Sequence, residues 1–326
     1  TPDPSLPGRG EEGFDMDSLH LVDPTLRPLL DMLPRISLTD DILPAMRDRP
    51  SMFPPADKSL ATLEIHTVPG PAGAPDIDLH VFRPVGATGV LPCIYHIHGG
   101  GYVMGKVSDY DPLVRPLIAD LQCIMVSVEY RLAPETNFPG PIEDCYAGLA
   151  WTIAHAEELG IDPARLGVMG QSAGGGYAAA LALMVRDRRQ YALAFQHLIY
   201  PMLDDRTCTA PPHPYAGEFI WTAQSNRFGW SSLLGHAPGG DDVSPYAAPA
   251  RATDLRNLPR TYIATGALDL FVDEDIDYAT RLIRAGVPVE LHVYPGGYHA
   301  FDVFADGPVS QQARRDSHEA LRRALA

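Results

Sequence analysis

Past residue 90 the chain settles into a rhythm that few folds accommodate. Six short apolar runs alternate with longer stretches of helical composition: LPCIYHI (91–97), LQCIMVSV (121–128), RLGVMG (165–170), AFQHLIY (194–200), RTYIAT (260–265) and VPVELHVY (287–294). Runs of this kind read as strands covered on both faces. Long crossovers between them imply a mostly parallel sheet with right-handed connections. The spacing predicts helices over 110–120, 141–159, 173–188, 272–285 and 310–325. Upstream, LEIHTV (63–68) and IDLHVF (77–82) alternate at period two and predict neighbouring strands near a sheet edge. The class is α/β.

One interval breaks the rhythm. Residues 201–259 carry Phe219, Trp221, Phe228 and Trp230, with a helical centre and no strand pattern. An insertion of that size predicts a helical cap lying over the sheet. Residues 1–14 are polar and rich in proline and glycine, which predicts a loose segment. From residue 15 to 55, Pro28, Pro34, Pro44 and Pro50 cut the pattern into short helices. The expected organisation is therefore a helical segment over 1–55 contributing to the cap, a core over 56–200, the cap insertion over 201–259, and the rest of the core over 260–326.

Charge narrows the partners. Forty-one acidic residues face 25 basic ones, a net charge of −16, and no basic cluster interrupts that balance. Duplex nucleic acid and anionic membranes both need a positive surface, so neither is expected. The longest apolar stretch, 177–185, falls far short of a bilayer span. No basic segment followed by an apolar block marks a secretory signal. Four irregularly spaced cysteines, Cys93, Cys123, Cys145 and Cys208, fit neither a disulfide framework nor a CxxC metal site. Free thiols in a reducing cytoplasm are the expectation.

The chemistry starts at Gly170-Gln171-Ser172-Ala173-Gly174, between an apolar run and an Ala/Gly-rich helix. Strand, sharp turn and helix form the setting of a nucleophile elbow. Small residues on either side let strand and helix approach, and the serine hydroxyl stands clear at the carboxyl end of the sheet. A second motif, His98-Gly99-Gly100-Gly101, ends the run LPCIYHI. Successive glycines allow main-chain N–H groups to converge on an oxyanion, with the Ala173 amide as a further donor at a helix N-terminus. The competing reading is a phosphate-binding loop. Neither Gly-Lys-Ser/Thr nor GxGxxG follows, which argues against it.

A serine needs a base, and the base needs an orienting acid. Of twelve histidines, His299 and His318 lie after the last predicted strand. His299 sits in the turn GGYHAF directly after VPVELHVY, whereas His318 falls within a predicted helix. His292 lies inside the strand and reads as a packed histidine. For the acid, Asp269 ends RTYIATGALD, and Asp273 is held in reserve. Asp273 and Asp275 also suit the first turn of the next helix, where acidic residues favour the dipole. Asp204 and Asp205 read as structural.

Taken in order, four blocks resemble the hormone-sensitive-lipase-like branch of the α/β-hydrolases, the bacterial carboxylesterases marked by HGGG. They are His98–Gly101; the run EYRLAPE (129–135) with Phe138-Pro139; GQSAGGG (170–176); and Asp269 through Asp273-Glu274 with His299. The run PETNFPGPIEDCYA with GQSAGGG is similar to acetylesterases of the bacterial heroin-esterase type. The resemblance implies an α/β-hydrolase fold, with Ser172, Asp269 and His299 as the triad and Gly100, Gly101 and Ala173 as oxyanion donors. It implies a serine carboxylesterase acting on acetyl-like, short-chain esters through an acyl-enzyme, with no metal or cofactor, and a structural role for YRLAPE. Two departures stand out. Gln171 replaces a common Asp, and Leu270 replaces a common Pro.

Tyr102, Trp221, Phe228 and Trp230 are candidate pocket walls. The rival functions are a serine peptidase or amidase on the same fold and a non-catalytic small-molecule receptor. The last strand reads as a sheet edge, which leads to the expectation of a homodimer through it.

Overall fold

The computed structural model describes residues 18–32, 36–50 and 53–326. The loose segment expected over residues 1–14 lies outside them. Two short helices, α1 (Arg27–Met32) and α2 (Leu43–Asp48), precede the strands β1 (Ala61–Val68), β2 (Ile77–Pro84) and β3 (Leu91–Ile97). Next come α3 (Val107–Leu121), β4 (Ile124–Glu129), α4 (Gly140–Ala154), β5 (Ile161–Gln171), α5 (Ala173–Arg188) and β6 (Phe195–Ile199). The chain closes with α6 (Ala223–Leu234), β7 (Arg260–Gly266), α7 (Val272–Arg284), β8 (Val289–Tyr294), α8 (Phe301–Phe304) and α9 (Pro308–Leu325).

The strands form one sheet in the order β1-β2-β4-β3-β5-β6-β7-β8. β2 runs antiparallel to both its neighbours, and every pair from β4 to β8 is parallel. Burial follows position. β6 is buried along its whole length, while most of β8 is half-buried, as an outer strand should be.

Local chemistry moves some boundaries from their expected places. The run starting at residue 121 becomes strand only from Ile124, because α3 continues through Leu121 and stops where Gln122 turns left-handed (φ 50°). α3 also starts earlier than expected, and it contains Pro112 and Pro116. α4 ends at Ala154, five residues short of the predicted end, and a turn closed by Leu159 N–H on His155 O follows it. α5 runs over the predicted residues and crosses the core, with every side chain from Ala173 to Val185 buried.

Residues 201–259 hold α6 and short 3-10 turns, with no strand. Buried side chains root this stretch in the core. Asp205 is fully buried and takes two bonds from Arg251, at 2.6 and 2.9 Å, and one from Gly239 N–H at 2.6 Å. Glu274 on α7 accepts Leu203 N–H at 2.7 Å and also bonds the Thr207 hydroxyl. The N-terminal segment packs against the same region through Leu38 N–H on Ser225 Oγ (3.1 Å). Arg47 reaches further, donating to the carbonyls of Val103 (2.7 Å) and Ala133 (2.8 Å) while pairing with Glu135. Among the described residues no helix is long and apolar enough to cross a membrane.

Candidate active site

The sheet aims its chemistry at the carboxyl ends of the central strands. β5 runs straight into Ser172, whose backbone sits at φ 55°, ψ −124°, and α5 starts at the next residue. Such a conformation costs a non-glycine residue about 1–3 kcal/mol, so the surroundings must impose it. They do so from both sides. Ser172 N–H donates to Ile199 O at 2.9 Å, and its carbonyl accepts from Gly176 and Met202, each at 3.0 Å. Close approach is possible because residue 174 lacks a side chain: a Cβ there would lie 2.1 Å from Ile97 O.

Two neighbouring loops bring the partners. The β7–α7 loop holds Asp269 and the β8–α8 loop holds His299. The loops are tied by Leu268 N–H on Gly297 O and Ala267 N–H on Tyr294 O, both 2.9 Å. His299 Nε2 lies 3.0 Å from Ser172 Oγ, and Nδ1 lies 2.8 Å from Asp269 Oδ2. Asp269 is fully buried, and its other oxygen accepts Phe271 N–H at 3.0 Å. A carboxylate facing Nδ1 fixes the proton there, leaving Nε2 free to accept from the serine. The edge-on rings of Tyr200 (4.9 Å between centroids) and Phe271 (5.4 Å) hold the imidazole in place.

Beside the serine, Gly100 (φ 126°), Gly101 (φ 60°) and Tyr102 (φ 69°) turn the chain back from β3. A Cβ on Gly101 would fall 2.1 Å from the Trp221 ring. The loop is braced at several points. Gly100 O accepts Val103 and Met104 N–H, Gly99 N–H donates to Tyr110 Oη at 3.0 Å, and Arg47 bonds Val103 O. Among the described residues no acceptor takes the N–H of Gly100, Gly101 or Ala173. His98 does not line the site. It is fully buried, stacks on Tyr130 at 4.2 Å, and burial drives its pKa down to about 3, so it is neutral. Tyr130 Oη donates to His98 O at 2.8 Å, and Arg131 pairs with the fully buried Asp144. The YRLAPE segment thus supports the glycine loop from below.

A cavity of about 380 Å³ opens above Ser172. Its walls include Leu38, Met46 and Phe53 from the N-terminal segment, Trp221 from the insertion, and Tyr110 and Phe304.

Residues 94–303 match the family model for the alpha/beta hydrolase fold. The chain belongs to the α/β-hydrolase family. A carboxylesterase, NlhH, of Mycobacterium tuberculosis is 35% identical over 313 residues, covering 93% of this chain and 96% of the relative. An ethyl acetate hydrolase of Pseudomonas putida is 32% identical over 250 residues, 76% of this hydrolase and 75% of the relative. Among solved structures, a bacterial heroin esterase superposes with a TM-score of 0.86 at 39% identity, covering 94% of this chain and 99% of its own. The likeness to carboxylesterases holds over nearly the whole α/β-hydrolase chain.

The fold gathers Ser172, Asp269 and His299, and it leaves the other candidates outside. Asp273 is exposed on the first turn of α7. His318 stands on α9 near Asp120, and His292 on β8 bonds Glu290 at 2.9 Å. Asp205 is structural, as expected. Of the aromatic wall candidates, Trp221 alone lines the cavity. Tyr102 and Trp230 are fully buried against each other, and Phe228 packs on the core. Gln171 has a local partner: its Oε1 accepts from His96 Nε2 at 3.0 Å, while His96 Nδ1 accepts from Ser127. Burial holds His96 neutral, with its pKa down to about 4, so a neutral amide suits that place.

Sequence reasoning missed Tyr110, Tyr200, Phe271, Arg47 and the cavity walls from residues 36–53. Tyr200 carried a usable signal, since it closes a predicted strand at its carboxyl end. Arg47, in a proline-broken stretch, carried none.

Proposed function

We propose that the protein is a serine carboxylesterase that hydrolyses short acyl esters through an acyl-enzyme. The observation that carries this is the unbroken Ser172–His299–Asp269 hydrogen-bond chain beside the glycine loop. Its relatives being named esterases and carboxylesterases supports the ester over the amide. His299 Nε2 takes the Ser172 proton as Oγ bonds to the ester carbonyl carbon. The carbonyl electron pair moves to oxygen, which the N–H groups of Gly100, Gly101 and Ala173 receive, each donor worth roughly 3–4 kcal/mol. Collapse breaks the C–O bond, and His299 hands its proton to the leaving alcohol. Water then adds to the acyl-serine with His299 again as base, releasing the acid and restoring Ser172.

In this reading residues 201–259 and the N-terminal segment up to residue 55 form the cap, with core on either side of the insertion. Arg47 and the Leu38–Ser225 contact support that grouping. Rates on p-nitrophenyl esters of rising acyl length test the function. The expected kcat/KM is highest at about two to six carbons and at least tenfold lower at about ten, a short-acyl preference that the ethyl acetate hydrolase among its relatives supports. An optimum at the long end would overturn the short-chain assignment.

Two finer assignments belong with this reading. The cytoplasm is the setting that four free, buried cysteines fit. A homodimer through β8 fits its outer position and the exposed Val293, with Ile276 and Ile283 exposed on the adjoining α7. Light scattering should return twice the chain's mass; a monomer mass would remove the dimer.

A further inference from the structure

The cavity above Ser172 carries a charge balance opposite to that of the chain. Acidic residues outnumber basic ones by 16 overall, yet the cavity is lined by Arg47, Arg49 and Lys106 against one carboxylate, Asp109. Lysine is scarce in this sequence: Lys58 and Lys106 are the two it has, and one stands here. Arg47 is already occupied by Glu135 and two carbonyls. Arg49 and Lys106 are exposed, and among the described residues neither has a carboxylate within ion-pair distance.

A side chain that lines a cavity and is also exposed stands at its mouth. The two free cations therefore mark where a bound ester meets solvent. Asp109 offsets them weakly, because it sits in the first turn of α3 against the positive end of the helix. Glu129 lies behind Lys106 and accepts Val107 N–H at 2.9 Å. Burial pushes its carboxyl up to about 7, so near neutral pH it supplies only part of a charge. Much of the remaining wall is apolar, including Met46, Phe53, Met104, Leu132 and Phe304. Low-dielectric walls ending in uncompensated cations concentrate anions, even on a protein that repels them elsewhere.

Resting on the esterase reading above, we infer that this enzyme prefers esters with one half an apolar arm ending in a carboxylate, which Arg49 and Lys106 bind at the cavity mouth. The ester carbonyl sits at Ser172 and the arm lies along the apolar wall. The carboxylate stays near water, where an arginine fork and an ammonium receive it without a large desolvation cost.

The test uses the full chain and pairs of acetate esters of ω-hydroxy acids and the matching ω-hydroxy amides. Arms of about four to ten carbons span a pocket of this size. Each pair shares its arm length, with leaving alkoxides of nearly equal basicity, and differs in charge at the far end. At the best arm length, kcat/KM for the carboxylate should exceed that for the amide about tenfold, and high salt should shrink the ratio. The double variant Arg49→Gln/Lys106→Gln should bring the ratio to about one, and Arg49→Lys should keep most of it. Amides turned over as well as carboxylates at every length would overturn the inference with the esterase intact, as would a ratio unchanged in the double variant. Failure on both series and on p-nitrophenyl acetate would remove the esterase reading itself, and this inference with it.

Discussion

Ser172→Ala should lower kcat on p-nitrophenyl acetate by at least about 10⁴-fold, leaving the slow background of the glycine loop and the cavity. Ser172 Oγ is the atom His299 Nε2 faces, and alanine removes that atom while keeping the Cβ. The backbone strain at φ 55° belongs to any residue with a Cβ, so the variant inherits it and the fold should hold to within about 0.5 kcal/mol. A fluorophosphonate probe sharpens the test. The probe forms a P–O bond and releases fluoride only with an activated hydroxyl whose proton passes to the histidine, so it should label the native chain once and the variant not at all. Native-like hydrolysis by the alanine variant would take the nucleophile away from residue 172. A native chain that binds small esters but resists the probe would favour a receptor.

The parts of this molecule readable from sequence are those set by neighbours along the chain. α5 is bounded by Ser172 in a strained turn and Arg189 in a left-handed one, and it runs over the residues 173–188 that the sequence predicts. The two motifs around Gly99 and Ser172 were readable because backbone geometry there demands particular small residues. Strand order was not. β4 inserts between β2 and β3, and crossover packing decides that rather than anything within the three strands.

The cavity walls were hidden for a related reason. Phe53, Met46 and Leu38 come from a stretch whose prolines blurred its pattern, and tertiary packing brings them to the cavity: Leu38 bonds Ser225 of the insertion, and Phe53 stacks on Phe304. Aromatic content was a poor guide in the insertion itself. Trp221 and Trp230 lie nine residues apart in the sequence, yet one lines the cavity and the other fills the core behind Tyr102. Which way each indole points depends on α6 docking, with Trp221 Nε1 held by Asn226 Oδ1 at 3.2 Å.

The choice between Asp269 and Asp273 shows the limit and also gives the second large expected effect. Both residues follow β7 within one turn of chain, and a sequence pattern with Leu270 in place of proline separates them poorly. Helical phase separates them in space. Asp273 falls on the solvent side of the first turn of α7, whereas Asp269 precedes the helix and is buried against the imidazole.

Asp269→Asn should therefore cut kcat by about 10⁴-fold, while Asp273→Asn should stay within about twofold of the native rate, as changes on an exposed helix surface do. The asparagine can keep the Phe271 N–H bond through its oxygen. Its NH₂ group then meets His299 Nδ1 and donates, so the imidazole must carry its proton on Nε2. That proton points at Ser172 Oγ, and the base has lost the lone pair it needs. The loss should fall on kcat with little change in thermal midpoint, since size and burial are preserved. The reverse pattern, a dead Asp273→Asn and an active Asp269→Asn, would mean that the acid reaches the histidine from α7, where Asp273 now stands exposed.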